Sequence, residues 1–118
     1  MAHSLSYNNS MPVREKSYVL ARIFIREDEE FDGERLYSKI LKFLREKNIA
    51  GATVLKALLG YGTTGEYHYE GIEVLSYNLP VVIELVDEEE KVISVLEELG
   101  KHIKSGLVSV ERAQVWEF

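Results

Sequence analysis

A regular alternation of apolar side chains along residues 17–26 constrains the fold more than any other feature of the sequence. Every second side chain there is apolar, which predicts a β-strand with one face on a hydrophobic core. The residues of this face are Val19, Ala21, Ile23 and Ile25. The acidic residues 27–33 that follow are predicted to form a loop. The rest of the chain must therefore supply partner strands and a covering layer.

Two later segments have apolar residues at helical spacing, and both are predicted to be α-helices. The first spans residues 33–47 with Asp32 as its N-cap, and its apolar positions are Leu36, Ile40, Phe43 and Leu44. The second opens at Asp87, with Glu90 three residues later as the partner in a capping box. Its predicted buried stripe is Val92, Leu96, Leu99 and Ile103, with Lys101, His102 and Lys104 in the last turn and Gly106 as the stop.

Three further segments are predicted to be strands, at residues 51–60, 79–86 and 107–116. The resulting order is βαββαβ, which is typical of an α+β ferredoxin-like domain with an antiparallel four-stranded sheet and two helices on one face. We expect one such domain over residues 17–118, preceded by a flexible N-terminal arm at 1–16. The uncovered sheet face carries Leu20 and Phe24, which favours contact with another subunit. Scattered exposed apolar residues on a monomer are the alternative.

The net charge of −6 over 118 residues argues against a nucleic-acid partner, because phosphate backbones are bound by concentrated basic surfaces. No apolar run reaches the length of a membrane span, so direct membrane insertion is not expected. The chain has no cysteine, which excludes disulfides and thiolate metal sites and fits a reducing cytoplasm. No nucleophile with a partner and no paired carboxylates stand out, so we expect a binding protein without catalytic residues rather than an enzyme.

A glycine-rich segment directly after the second predicted strand is the first candidate for chemistry. Glycines let backbone N–H groups approach a phosphate closely, and threonine hydroxyls can donate hydrogen bonds to its oxygens. The residues concerned are Gly60, Tyr61, Gly62, Thr63 and Thr64. No Gly-Lys-Ser/Thr sequence or helix start follows, so this is not a P-loop, and spacing alone favours a flexible hairpin loop. The strand cations Lys56 and Arg112 either face a partner subunit's carboxylate or reach an anionic ligand.

A histidine between two carboxylates, in the long loop predicted at residues 61–71, is the second candidate. Glu66, His68 and Glu70 share one face if the segment is extended, and such a set could bind a metal or perform acid–base chemistry. A single histidine without partners at metal-ligand spacing is a weak signal. The pattern therefore favours a solvated recognition loop.

Several pieces of the sequence resemble, in the same order, the uncharacterised ferredoxin-like branch of the PII-like signalling proteins. The pieces are Gly51-Ala52-Thr53-Val54, Gly60-Tyr61-Gly62, His68, and Leu79-Pro80-Val81-Val82-Ile83-Glu84 followed by Asp87. The resemblance covers residues 17–116. The family usually has Arg-Gly where this chain has Lys56-Ala57, and Phe where it has Tyr61. An anion contact made by that arginine would here fall to a lysine, which is a point charge rather than a fork.

The resemblance implies a homotrimer with an adenine nucleotide (ADP, AMP or ATP) bound between subunits, and no metal. It also implies that the loop at 61–71 changes conformation and contacts a target protein, which the sequence does not identify. The nucleotide site would lie near the base of the loop at Gly60, Tyr61, Gly62, Thr63 and Thr64, and the Gly106 turn and the last strand of the neighbouring subunit would complete it. Lys56 and Arg112 could neutralise the phosphates. One alternative is a divalent-metal-binding or metal-tolerance protein on the same fold, with Glu66, His68 and Glu70 as ligands. A small enzyme that uses the loop as a lid is another.

Overall fold

The computed structural model describes residues 17–58, 80–104 and 106–118. Their secondary structure elements, in chain order, are β1 (Tyr18–Arg26), β2 (Glu30–Phe31), β3 (Glu34–Arg35), α1 (Leu36–Glu46), β4 (Gly51–Lys56), β5 (Pro80–Glu88), α2 (Glu89–Leu99) and β6 (Leu107–Ala113). The four longer strands form one sheet in the order β4-β5-β1-β6, and every neighbouring pair is antiparallel. This order and the two helices confirm the predicted ferredoxin-like α+β fold.

The core lies between the sheet and the two helices, because each of these elements turns its apolar stripe toward that layer. Opposite residues of β1 and β5, such as Ile23 and Ile83, are almost fully buried. The helices cover them with Leu36, Ile40 and Leu44 from α1 and with Val92, Val95 and Leu99 from α2. Val95 takes a buried position that was predicted for Leu96, which is only partly buried. The predicted apolar face of β1 is confirmed, since its residues are at most 3 % exposed.

A small hairpin formed by β2 and β3 starts in the acidic segment predicted as a loop and ends inside the segment predicted as the first helix. Its two-residue turn is Asp32-Gly33, with φ angles of 52° and 79°, and a tight hairpin turn requires these left-handed values. Asp32 is therefore not the N-cap of α1, and that prediction was wrong. The helix begins at Leu36, whose backbone N–H donates to the carbonyl oxygen of Glu29 at 2.8 Å.

The start of α2 also differs from the predicted capping box. Asp87 belongs to β5 and is only 5 % exposed, and α2 begins two residues later without a side-chain cap. The Asp87 carboxylate accepts hydrogen bonds from the backbone N–H groups of Glu88 at 2.6 Å and Ala50 at 2.9 Å. It therefore ties the strand–helix junction to the residue before β4, and it does not form a box with Glu90.

The end of α2 lies earlier than predicted. The helix ends at Leu99, and the backbone N–H groups of His102 and Ile103 both donate to the Leu99 carbonyl oxygen in the turn that follows. The basic side chains within residues 101–104 therefore lie beyond the last helical turn. Gly106 does not stop the helix; with a φ of 146° it leads directly into β6.

The strands start close to their predicted positions. β5 starts at Pro80, as expected for a residue that cannot donate to a ladder. β4 covers 51–56 and β6 covers 107–113 of the longer segments predicted for them. The predicted arm at 1–16 and the predicted loop at 61–71 lie outside the described residues. Within the described part of the chain, no helix is long and apolar enough to cross a membrane.

Candidate functional site

The strand register places the predicted site residues relative to one another. Lys56, the last residue of β4, is opposite Val81 in β5, and Val81 is opposite Ile25 near the end of β1. On the other side of β1, Phe24 is opposite Leu107, the first residue of β6. One end of the sheet is therefore marked by Lys56, Val81, Ile25 and Leu107, and we call it the Lys56 end.

Lys56 lies on the helix-covered face of the sheet, because its partner Val81 is buried there. Its ammonium nitrogen Nζ is 3.1 Å from Oε2 of Glu27, the residue that follows β1. Since β5 lies between β4 and β1, this ion pair crosses the first residues of β5. The Lys56 side chain is 52 % exposed, so an anion in solution can reach its charge.

Gly106 lies at the same end of the sheet but at the opposite edge, directly before β6. Its φ is 146°, and a Cβ atom added there would lie 2.8 Å from the backbone carbonyl oxygen of Phe24. A cavity of about 200 Å³ adjoins it, with walls that include Leu99, Ile103, Lys104, Leu107 and Val108. Glycine is required here because two backbone segments approach each other closely, whether or not a ligand binds.

Arg112 is separated from Lys56 in both directions of the sheet. It lies on β6, at the opposite edge from β4, and three strand spacings of about 4.8 Å each separate these edges. Its register partner on β1 is Val19, at the far end of that strand. Its guanidinium is 3.4 Å from the carboxylate of Glu89 at the start of α2. Within one subunit, Lys56 and Arg112 therefore cannot hold the same phosphate.

The other predicted site residues lie outside the described residues. They are Gly60, Tyr61, Gly62, Thr63 and Thr64 of the nucleotide set and Glu66, His68 and Glu70 of the metal set. The structure shows where this segment joins the sheet, because β4 ends and β5 starts at the Lys56 end. Among the residues that the structure describes, no three His, Asp or Glu side chains are grouped so that they could hold a metal ion.

The sheet face away from the helices carries a charged cluster that the sequence indicated only in part. Arg22 in β1 lies between Glu84 in β5 and Glu111 in β6, with Nε 2.9 Å from Glu84 and Nη1 2.5 Å from Glu111. Hydrogen bonds, first to Glu111 and then to Glu84, raise the pKa of the Arg22 guanidinium. The apolar residues on the same face include Leu20, Phe24, Val82 and Val86. Glu111 was missed; it is opposite Leu20 on β1 and therefore lies diagonally across from Arg22 on the same face.

Both edge strands of the sheet expose large apolar side chains. On β6, Leu107 is exposed on the face away from the helices, and Val108 and Val110 are exposed on the other face. On β4, Leu55 is exposed as well. Edge strands with exposed apolar side chains are templates for contact with another chain, and proteins usually cover them.

A larger cavity, of about 370 Å³, lies between α1, the end of α2 and the β2–β3 hairpin. Phe31 and His102 line it with their ring centroids 5.4 Å apart, and the Lys39 ammonium lies 5.4 Å from the Phe31 centroid. Lys42 and Glu34 form an ion pair of 3.0 Å on its wall, and the hydrogen bond from Lys42 lowers the pKa of Glu34. Sequence reasoning missed this cavity because it assigned no structure to the hairpin.

The profile of one protein family matches residues 18–115. This chain belongs to the DUF190 family. The family is described as "Uncharacterized ACR". A UPF0166 protein from Aquifex aeolicus (strain VF5) is 44 % identical over 97 residues, which cover 81 % of this DUF190 chain and 90 % of the relative. The UPF0166 protein MJ1524 of Methanocaldococcus jannaschii is 42 % identical over 98 residues, with 82 % and 90 % covered.

The fold of this DUF190 chain is also similar to a solved structure of CPII from Thiomonas intermedia K12. That structure is of a nitrogen regulatory PII-like protein bound to ADP, AMP and bicarbonate. The two chains are 20 % identical, with a TM-score of 0.63 over 87 % of this chain and 90 % of CPII. At this identity the likeness is one of fold. The predicted resemblance to the PII-like proteins is thereby confirmed for the fold, in a chain whose family is DUF190.

Proposed function

We propose that this protein is a homotrimeric PII-like regulatory protein that binds an adenine nucleotide between its subunits and signals to a target protein through residues 61–71. The observation that carries the proposal is the fold shared with CPII, whose structure holds ADP and AMP. The position of Lys56 supports it, since this cation lies at the base of the segment that joins β4 to β5. Regulation then requires that the nucleotide makes different contacts in two states of that segment.

The exposed edges of the sheet support assembly into a ring. Lys56 and Gly106 lie at the same end of the sheet but at opposite edges. When copies are related by a rotation axis along the strands, the β4 edge of one subunit faces the β6 edge of the next, and Lys56 approaches the neighbour's Gly106. The same contact covers apolar side chains of β6, such as Val108 and Val110, that are otherwise exposed.

The proposed site supplies donors for the phosphates of the nucleotide. Lys56 provides a positive charge, and residues 60–64 provide backbone N–H groups and hydroxyls. Gly106 of the next subunit allows close approach of its backbone. Arg112 is ion-paired with Glu89 at the far end of its own sheet, and its contact with the phosphates from the neighbouring subunit stays a prediction. The net charge of −6 does not prevent binding, since exposed charges beyond about 10 Å are largely screened at 0.1 M salt.

Calorimetric titration with ADP tests the proposal directly. The wild-type protein is expected to bind one ADP per subunit. Lys56→Ala is expected to weaken binding about tenfold or more and to flatten its dependence on salt, because a charge-assisted contact is lost. Gly62→Val is expected to block the approach of the backbone to the phosphates. Lys47→Ala is the matched control, since this exposed lysine pairs with Glu98 at 3.6 Å, away from the proposed site.

Two outcomes of this titration would contradict the proposal. One is the absence of binding of ADP, AMP and ATP to the wild-type protein at millimolar concentration. The other is that Lys56→Ala and Gly62→Val both bind ADP as tightly as the wild type.

The proposed role is binding without turnover, because a bound effector is sufficient to shift a segment between two states. Purified protein incubated with ATP is therefore expected to release no phosphate beyond a first turnover. Sustained hydrolysis that disappears in His68→Ala would instead support an enzyme that uses the loop as a lid.

A further inference from the structure

We infer that Glu27 is a built-in competitor for the phosphate at Lys56, so that nucleotide binding requires Lys56 to exchange one anionic partner for another. This inference rests on the proposed function and names a determinant of its affinity. It starts from the ion pair in which Oε2 of Glu27 lies 3.1 Å from Nζ of Lys56. A carboxylate and a phosphate bind the same face of an ammonium group by charge-assisted hydrogen bonds, so each displaces the other.

The second carboxylate oxygen of Glu27 weakens this pair. Oε1 is buried, and it accepts no hydrogen bond from any group that the structure describes. The side chain as a whole is 22 % exposed, so Oε2 carries the contact with Lys56 while Oε1 is shielded from water. A buried acceptor without a donor destabilises the paired state, because it has lost its hydration without replacement. When a ligand binds the ammonium group of Lys56 instead, the Glu27 carboxylate is free to rotate into water.

The other basic side chains near Glu27 contact other groups, so Lys56 is the partner of its carboxylate. Arg26 pairs with Asp28 at 3.0 Å. Arg35 donates to the backbone carbonyl oxygen of Glu27 at 3.5 Å, and not to its carboxylate. Within the described part of the chain, Lys56 is therefore the cation that the Glu27 carboxylate contacts.

The place of the pair links this exchange to the segment after β4. The contact between Lys56 and Glu27 passes over the first residues of β5, at the point where the chain leaves β4 and returns to β5. The backbone N–H of Ala57 donates to the carbonyl oxygen of Pro80 at 3.0 Å, so the two ends are held together without the ion pair. Lys56 can thus change partner without separating the strands.

Calorimetric titration of Glu27→Gln with ADP tests this inference. The dissociation constant for ADP is expected to be about two- to fivefold lower than in the wild type, which corresponds to removal of a partly exposed ion pair. Glu30→Gln is the matched control, because it removes the same charge from an exposed position three residues later, in β2. The control is expected to bind ADP like the wild type.

A double-mutant cycle separates competition from a structural effect. In the Lys56→Ala background, Glu27→Gln is expected to leave ADP affinity unchanged, because no lysine remains to compete for. Glu27→Asp keeps the charge but shortens its reach, so an intermediate affinity is expected, and this variant carries the test if Glu27→Gln does not fold.

Two results would overturn the inference while leaving nucleotide binding in place. The first is equal affinity of the wild type and Glu27→Gln for ADP. The second is a gain in affinity that also occurs with Glu30→Gln or in the Lys56→Ala background. The absence of ADP binding to both the wild type and Glu27→Gln at millimolar concentration would overturn the proposed function, and the inference with it.

Discussion

The carboxylate of Asp87 accepts a hydrogen bond at 2.9 Å from the backbone N–H of Ala50, which lies 37 residues away in the chain. The same carboxylate accepts a hydrogen bond from the N–H of Glu88 and lies 3.1 Å from the Lys91 ammonium. Lys91 also donates to the backbone carbonyl oxygen of Asn48. The start of α2 is therefore fastened to the connection between α1 and β4, and a residue predicted as a local helix cap joins two distant parts of the chain.

Replacing this buried carboxylate is expected to destabilise the protein in a pH-dependent way. Burial raises the pKa of Asp87, but hydrogen bonds from Glu88 and Ala50 and the charge of Lys91 outweigh it and lower the pKa below its ordinary 3.8. A lowered folded-state pKa contributes stability above the unfolded-state value, and that contribution is lost as the pH falls through the folded-state pKa. Asp87→Asn should therefore lower the free energy of unfolding by about 1–3 kcal/mol at pH 7. In urea titrations, its difference from the wild type should shrink below about pH 4.

Glu90→Gln is the control for that experiment, since the capping-box hypothesis assigned Glu90 the other half of the interaction. Glu90 is exposed in the structure. Its replacement is expected to change the free energy of unfolding by less than about 0.5 kcal/mol. A loss equal to that of Asp87→Asn would support the capping box and contradict the long-range role of Asp87.

Alanine substitutions at two glycines with positive φ are expected to have different costs. A Cβ atom at Gly106 would lie 2.8 Å from the carbonyl oxygen of Phe24, whereas at Gly33 no atom of the described residues lies within 4 Å. Gly106→Ala should lower the free energy of unfolding by about 2–3 kcal/mol, and Gly33→Ala by about 1 kcal/mol. Chemical denaturation of both variants measures this difference. Equal costs would mean that the backbone before β6 moves to accept the methyl group.

The oligomeric state is expected to depend on the exposed valines of β6. Light scattering after size exclusion should give the mass of a trimer for the wild type and a lower mass for Val110→Lys, because a charge would then be buried at the contact. Leu41→Lys on α1 is the matched control, since Leu41 is 37 % exposed and Val110 is 45 % exposed. A wild-type monomer at micromolar concentration, or a Val110→Lys trimer as stable as the wild type, would contradict the proposed assembly.

Thermal unfolding in the presence of ligands is expected to distinguish the nucleotide hypothesis from the metal hypothesis. ADP at one hundred times its dissociation constant should stabilise the folded protein by about 2.7 kcal/mol and raise Tm, because it binds only the folded state. Zinc or nickel ions without nucleotide should leave Tm unchanged. A rise in Tm with metal but not with ADP, lost in His68→Ala, would favour the metal-binding alternative.

The fold was predictable because its main elements bury their apolar residues in one layer. The alternation of apolar residues along β1 and their helical spacing around Ile40 and Val92 predict directly which side chains are buried in this layer. The β2–β3 hairpin was not predictable in this way, since strands of two residues are too short to show a period. Asp87 was misassigned because one of its partners, the N–H of Ala50, is distant in sequence and close only after the sheet has formed.

The candidate site was predictable only in part, because strand order decides which side chains meet. Lys56 and Arg112 are both basic residues of strands, and they were expected near one phosphate between subunits, with the last strand supplied by the neighbour; that contact stays a prediction. The order β4-β5-β1-β6 places them at opposite edges of the sheet. The contact between Lys56 and Glu27 has no local signature either, since it depends on β5 lying between the strands that carry them.

The central position of β1 also determines when this protein can fold during synthesis. Ile23 pairs with Ile83 on one side and Val108 on the other, so its partners follow it by 60 and 85 residues. Pairing over such separations slows folding, because long loops must close before the contacts form. At a synthesis rate of about 5–20 residues per second, β1 remains near the ribosome for several seconds before its partner strands are made, and its apolar face is unpaired during that time. The strand order, rather than the strength of the core, therefore sets how long the nascent chain needs protection from aggregation.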